Sequence, residues 1–82
     1  MSSFEINLQR AVIVALSRRE QEILLLLGKG FRNANIAAEL GVSQSTVRSH
    51  VASLATKLRA EGSRQIVSRV LEEGVLIFRP AA

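Results

Sequence analysis

Cysteine, tryptophan and tyrosine are missing from this chain of 82 residues, and proline, methionine and histidine occur once each. Without cysteine there is no disulfide framework and no thiolate zinc site, and a single histidine cannot gather a cluster of soft metal ligands. No metal site and no cofactor is therefore expected. The three aromatic residues are all Phe, and none interleaves with basic residues as a stacking platform for single strands requires. Long apolar runs are also missing: Ala11–Leu16 and Ile23–Leu27 fall far below the roughly 20 residues of a membrane span. Glu5 stands where a secretory leader carries positive charge, so no membrane partner and a cytoplasmic location are expected. Acids are absent between Gly41 and Ala60, where Arg48, Lys57 and Arg59 stand. Catalysis lacks its inventory. No nucleophile has a nearby base, no carboxylates pair in a plausible pocket, and "GKG" at 28–30 lacks the length and the Ser/Thr of a phosphate-binding loop. No catalytic residue is assigned, and an enzyme is not expected.

What is present suits one small helical domain. Hydrophobic residues make up 48% of the chain, and eleven Lys/Arg face seven Asp/Glu for a net charge of +4. A chain of this length buries only about 60–65% of its unfolded surface, so packing has to be efficient. The acid-free basic stretch beside a neutral polar surface suits a polyanionic partner. The plain alternative is a solvated helix face.

Capping and spacing place the elements. Phe4, Ile6 and Leu8 alternate like a strand, while Leu8, Ala11, Val12, Ala15 and Leu16 repeat like a helix. A lone strand in a helical chain would have nothing to pair with, so an extended lead-in or a short helix is expected there. "SRRE" at 17–20 is a capping box that starts a helix, with Ile23, Leu24, Leu26 and Leu27 turned inward and Gly28 and Gly30 ending it. Asn33 is the next N-cap candidate, before a short stripe of Ile36, Ala37 and Leu40. Gly41 supplies a left-handed turn, Val42 plugs the gap and Ser43 caps a longer helix. Val47, Val51, Leu54 and Leu58 form its buried stripe. Gly62 breaks that helix and Ser63 can cap a fourth, with Ile66, Val67, Val70, Leu71, Gly74 and Val75 as its stripe.

Two helices joined by a short Gly turn, the second longer and basic, describe a helix-turn-helix. At about 100° per residue, Ser45, Ser49, Ala52 and Thr56 lie opposite the Val47 stripe, with Arg48 on the flank. Such short side chains let a helix descend into a major groove about 12 Å wide, and Arg48 can reach a guanine edge or a phosphate. Ser45, Thr46, Asn33 and Lys57 offer donors to phosphate oxygens. Ala37 and Ala38 would permit a close crossing of the two helices. His50 lies near the core edge, where packing or a phosphate bond outweighs catalysis.

The run "LSRREQEILLLLGKGFRNANIAAELGVSQSTVRSHVASLATKL", residues 16–58, resembles the LuxR-type (LuxR/FixJ) DNA-binding domain of bacterial transcription regulators. The resemblance rests on spaced positions that include Arg19, Glu20, Gly30, Asn33, Ile36, Ala37, Ser43, Thr46, Val47, Arg48, Val51 and Lys57. It implies an all-α, four-helix domain at 16–78 between a lead-in at 1–15 and a tail at 79–82. The third helix, about 44–59, would read duplex DNA in the major groove, with Arg48 and Ser49 where the family meets bases. Thr46, Asn33 and Lys57 would meet the backbone. The residues expected to touch DNA are Asn33, Gln44, Ser45, Thr46, Arg48, Ser49 and Lys57. The resemblance also implies a homodimer through the fourth helix, about 63–76, and RNA polymerase as a further partner. Because Arg64 and Ser68 make the outer side of that helix polar, the N-terminal segment is a second candidate for the dimer surface. Asn35 and the link Arg59–Gly62 depart from the family pattern. Family members usually carry a receiver or ligand-binding domain in front, so the chain is either an output domain or a small stand-alone regulator. Two rival readings are region 4 of a bacterial sigma factor and a protein–protein module that inactivates a related regulator by pairing with it. The well-spaced fourth helix weighs against the sigma factor.

Overall fold

A computed structural model describes residues 3–80, and the elements run β1 (Ser3–Ile6), α1 (Leu8–Ile13), α2 (Arg18–Gly28), α3 (Asn33–Leu40), α4 (Gln44–Leu58), α5 (Gly62–Glu72) and β2 (Leu76–Arg79). Residues 1, 2, 81 and 82, the outer ends of the expected lead-in and tail, lie outside the described residues. The expected four helices are α2 to α5, and α1 precedes them.

Helix starts follow the capping chemistry. Glu20 N donates to Ser17 Oγ at 3.1 Å and Ser17 N donates to Glu20 Oε1 at 2.8 Å, which closes the capping box of α2. Thr46 N donates to Ser43 Oγ at 3.1 Å at the start of α4. At α3 the cap moves by one residue. Arg32 is the N-cap and Asn33 the first helical residue, while Asn35 Oδ1 accepts from Arg32 N at 3.4 Å. Gly41, at φ 69°, makes the left-handed turn between α3 and α4.

Side chains from every long helix meet in one core: Ile23 and Leu24 from α2, Ile36 from α3, Val47 and Leu54 from α4, and Ile66 and Val70 from α5 are fully buried. Each such side chain stabilises the fold by about 1.5–3 kcal/mol relative to exposure. Ala37 is buried where α3 meets α4, but Ala38 is exposed. The close crossing therefore rests on Ala37 alone.

The ends of the chain hold the largest departure from the sequence-based expectation. Residues 3–6 do form a strand, because it has a partner: β1 and β2 pair antiparallel with Phe4 opposite Phe78 and Ile6 opposite Leu76. The two phenylalanine rings lie 5.2 Å apart at 55°, and Arg79 pairs with Glu5 across the same ribbon. The partner strand was hidden in the apolar stripe of the expected fourth helix. That helix stops at Glu72, Gly74 turns at φ 72°, and Val75 N donates to Val70 O at 2.9 Å. Gly28 has a role beyond the expected one. It is the last residue of α2, and a Cβ there would come within 2.8 Å of Leu76 Cδ2 and 3.6 Å of the Phe4 ring. Its missing side chain lets the ribbon sit on α2, and Gly30, at φ 91°, makes the turn.

Candidate nucleic-acid interface

α4 presents two unlike sides. Val47, Leu54 and Leu58 are buried and Val51 is half-buried, whereas Ser45, Arg48, Ser49, Ala52 and Thr56 are exposed. At a rise of about 1.5 Å per residue the helix is about 22 Å long, and the exposed side chains of its first half are small and polar except for Gln44 and Arg48. Among the described residues Arg48 makes no ion pair. Its guanidinium is thus free to meet a base edge or a phosphate.

The expected site residues fall into three groups. Gln44, Ser45, Thr46, Arg48 and Ser49 come together on the exposed first half of α4. The Thr46 hydroxyl lies 3.0 Å from Ser43 Oγ, so it helps to close the cap while its other valences face outward. Asn33 is half-buried at the start of α3, one helix back. Lys57 lies further along the helix, partly exposed, and its ammonium donates to Glu20 Oε1 at 2.6 Å and to the Ala15 carbonyl at 2.8 Å. Two of the three ammonium donors are engaged in this way.

Lys57 belongs instead to a cluster that fixes α4 against α2. Glu20 is 2% exposed and accepts from Ser17 N, from Ser53 Oγ at 2.7 Å and from Lys57. Burial opposes its charge and is the largest single influence on it. Hydrogen bonds from Lys57, the Ser17 backbone, Ser53 and the Ser17 side chain together outweigh burial and hold its pKa at about 2. An ionised carboxylate therefore ties the second half of α4 to the start of α2, and the first half projects from that anchor. Ser53 and the inward task of Lys57 were not among the expected site residues. The signal was present: Glu20 stands three and four residues before Ile23 and Leu24, on the buried side of α2, and Ser53 and Lys57 are four apart on one side of α4. A buried acid requires such partners.

Among the described residues no group of His, Cys, Asp or Glu could hold a metal ion, and no helix is long and apolar enough to cross a membrane.

Known proteins share this arrangement in sequence. The family model described as "GerE: Bacterial regulatory proteins, luxR family" matches residues 14–70, from the end of α1 to near the end of α5. Oxygen regulatory protein NreC of Staphylococcus epidermidis is 41% identical over 63 residues, covering 77% of this chain and 29% of that protein. NreC of Staphylococcus haemolyticus and of Staphylococcus aureus match with the same identity, 41%, and the same coverage. The chain thus spans about 29% of the length of these curated relatives.

Proposed function

The chain belongs to the luxR family of bacterial regulatory proteins, whose members are DNA-binding regulators of transcription and not enzymes, and from that premise we propose how this copy of the domain meets DNA. α4 enters the major groove by its first half. Arg48 and Ser49 face base edges, with Gln44 and Ser45 beside them. Thr46 and Asn33 donate to phosphates, where the amides at the starts of α3 and α4 add a favourable dipole. Lys57 acts from behind by holding α4 on Glu20. Two domains bind a two-fold-related site, paired through α5 or through the N-terminal segment, and RNA polymerase is a partner of the bound pair.

The observation that carries this proposal is the unobstructed, acid-free side of α4 around Arg48, opposite a continuous buried stripe. Neither rival from the sequence has comparable support. The family match extends into α5, past the point where sigma-factor regions end, and a module that only paired with another regulator would not need a free arginine among small polar side chains.

Selection of bound sites from random duplexes tests the proposal. One sequence preference is expected to emerge, and Arg48→Ala is expected to weaken binding to it by about 1–3 kcal/mol, roughly 5- to 150-fold, and to relax preference at one position. Arg48 is exposed, so folding stability should stay within about 0.5 kcal/mol of the parent. Equal binding of parent and Arg48→Ala to the selected duplex would rule the docking out.

A further inference from the structure

Two depressions adjoin at the turn that ends α2. One, of about 420 Å³, lies where the end of α2 meets the starts of α3 and α5; its floor is Leu27, Phe31 and Val67, and its rim carries Arg32 and Arg64. The other, of about 360 Å³, shares Gly30 and Phe31 with the first and adds Lys29 and Asn35. A Cβ on Gly30 would meet nothing within 4 Å, so the turn they share is itself uncrowded. Lys29, Arg32 and Arg64 are exposed, and among the described residues none of the three takes part in an ion pair. No acid among the described residues lines either depression. The two together form one groove with an apolar floor and three unpaired cations along it.

We propose that this groove takes an acidic segment of another protein, which seats one aliphatic or aromatic side chain on Leu27, Phe31 and Val67 and sets carboxylates against Arg32, Arg64 and Lys29. A guanidinium offers a planar fork of donors that matches a carboxylate, and an apolar side chain in a pocket with charged groups around it is a common anchor for a short segment. Other anions fit less well. A duplex brings phosphates but no apolar side chain for the floor, and a nucleotide would find, among the described residues, only Ser63 and Asn35 as neutral polar side chains to read its base. A single strand requires aromatic rings on which successive bases stack; Phe31 is the one aromatic residue here, and it is half-buried. No described residue of α4 lines the groove, so a domain docked on DNA by the first half of α4 keeps it open to a protein. The inference concerns a different surface from the DNA reading and stands without it. A few exposed charge pairs and one anchor give weak binding that salt screens.

Selection from a phage-displayed library of random peptides on the immobilised full chain tests the inference. The enriched sequences are expected to share two or more Asp or Glu around one Leu, Ile or Phe. A synthetic peptide of that sequence, titrated by fluorescence anisotropy, is expected to bind more weakly as salt rises and to lose about tenfold in affinity with Arg64→Glu. It should stay bound when a duplex carrying one half-site is added. Exchanging its acids for lysines should restore binding to the Arg32→Glu/Arg64→Glu variant but not to the parent, which separates a lost charge from a lost fold. Enrichment of acid-free sequences, or of none, would overturn the inference, as would an affinity that Arg64→Glu leaves unchanged. Displacement of the peptide by the duplex, or tighter binding of an oligothymidylate that Arg64→Glu abolishes, would assign the groove to nucleic acid and overturn it too.

Discussion

Glu20 keeps its negative charge in a place where burial alone would discharge it. Its carboxyl falls from 4.5 to about 2 because Lys57, Ser17 and Ser53 supply donors that the unfolded chain lacks. A group whose folded pKa is depressed contributes stability above its unfolded pKa, and that contribution is lost as pH falls through the folded value. The window here runs from about pH 4.5 down to about pH 2, with an upper bound on the order of 3 kcal/mol at neutral pH. Glu20→Gln keeps the shape but gives up the charge, and leaves the Lys57 ammonium facing an amide. It is expected to cost about 2–3 kcal/mol at pH 7. The gap from the parent should narrow steadily below pH 4.5. Urea unfolding of both proteins at pH 7 and pH 3 checks this, and a gap that stayed constant with pH would separate the charge of Glu20 from stability.

α4 ends on a strained residue. Arg59 takes φ 54°, a left-handed conformation that costs a side-chain-bearing residue about 1 kcal/mol. Arg59→Gly is expected to raise stability by up to about 1 kcal/mol in denaturant titrations; a lower midpoint would show that the arginine makes contacts worth more than its strain. The helices themselves were legible from single residues. Ser17 with Glu20, Gly41 and Ser43 announced α2 and α4, because caps and turns depend on neighbours a few positions away. The exposed side of α4 was legible for the same reason, since a helical period relates Arg48 and Ser49 to Val47 by geometry alone. The β1–β2 ribbon was not, because its pairing joins residues seventy or more positions apart and "VLIF" continues the apolar run of α5. Only Gly74 hinted that the helix stops. The Lys57–Glu20 pair was hidden on similar grounds: a lysine late in a basic helix resembles a phosphate contact, and only the fold shows Glu20 beside it.

Charge distribution governs how the domain meets a polyanion. Neutralising about 4–5 phosphates per subunit would give a slope of log K against log salt near −4. Glu20 offsets the charge of Lys57 in the folded domain, and with that cation discounted a slope of about −3 per subunit is expected at about −0.9 per phosphate. Fluorescence anisotropy over a range of salt concentrations measures it. A slope near zero would mean that phosphates are not the partner. Arg48→Ala should reduce the magnitude by about one if the guanidinium sits on a phosphate, and leave it unchanged with lost selectivity if it sits on guanine.

Closure of the chain ends by β1 and β2 places the ribbon on α2, behind the core, and leaves the first half of α4 as the uncovered face. The most direct test of that arrangement is a residue-by-residue map of amide chemical-shift changes as a selected duplex is added to the labelled chain. The largest changes are predicted at Gln44, Ser45, Arg48, Ser49 and Ala52 and at the start of α3, with the β1–β2 ribbon unmoved. Shifts centred on the ribbon or on α5, with α4 silent, would contradict the account.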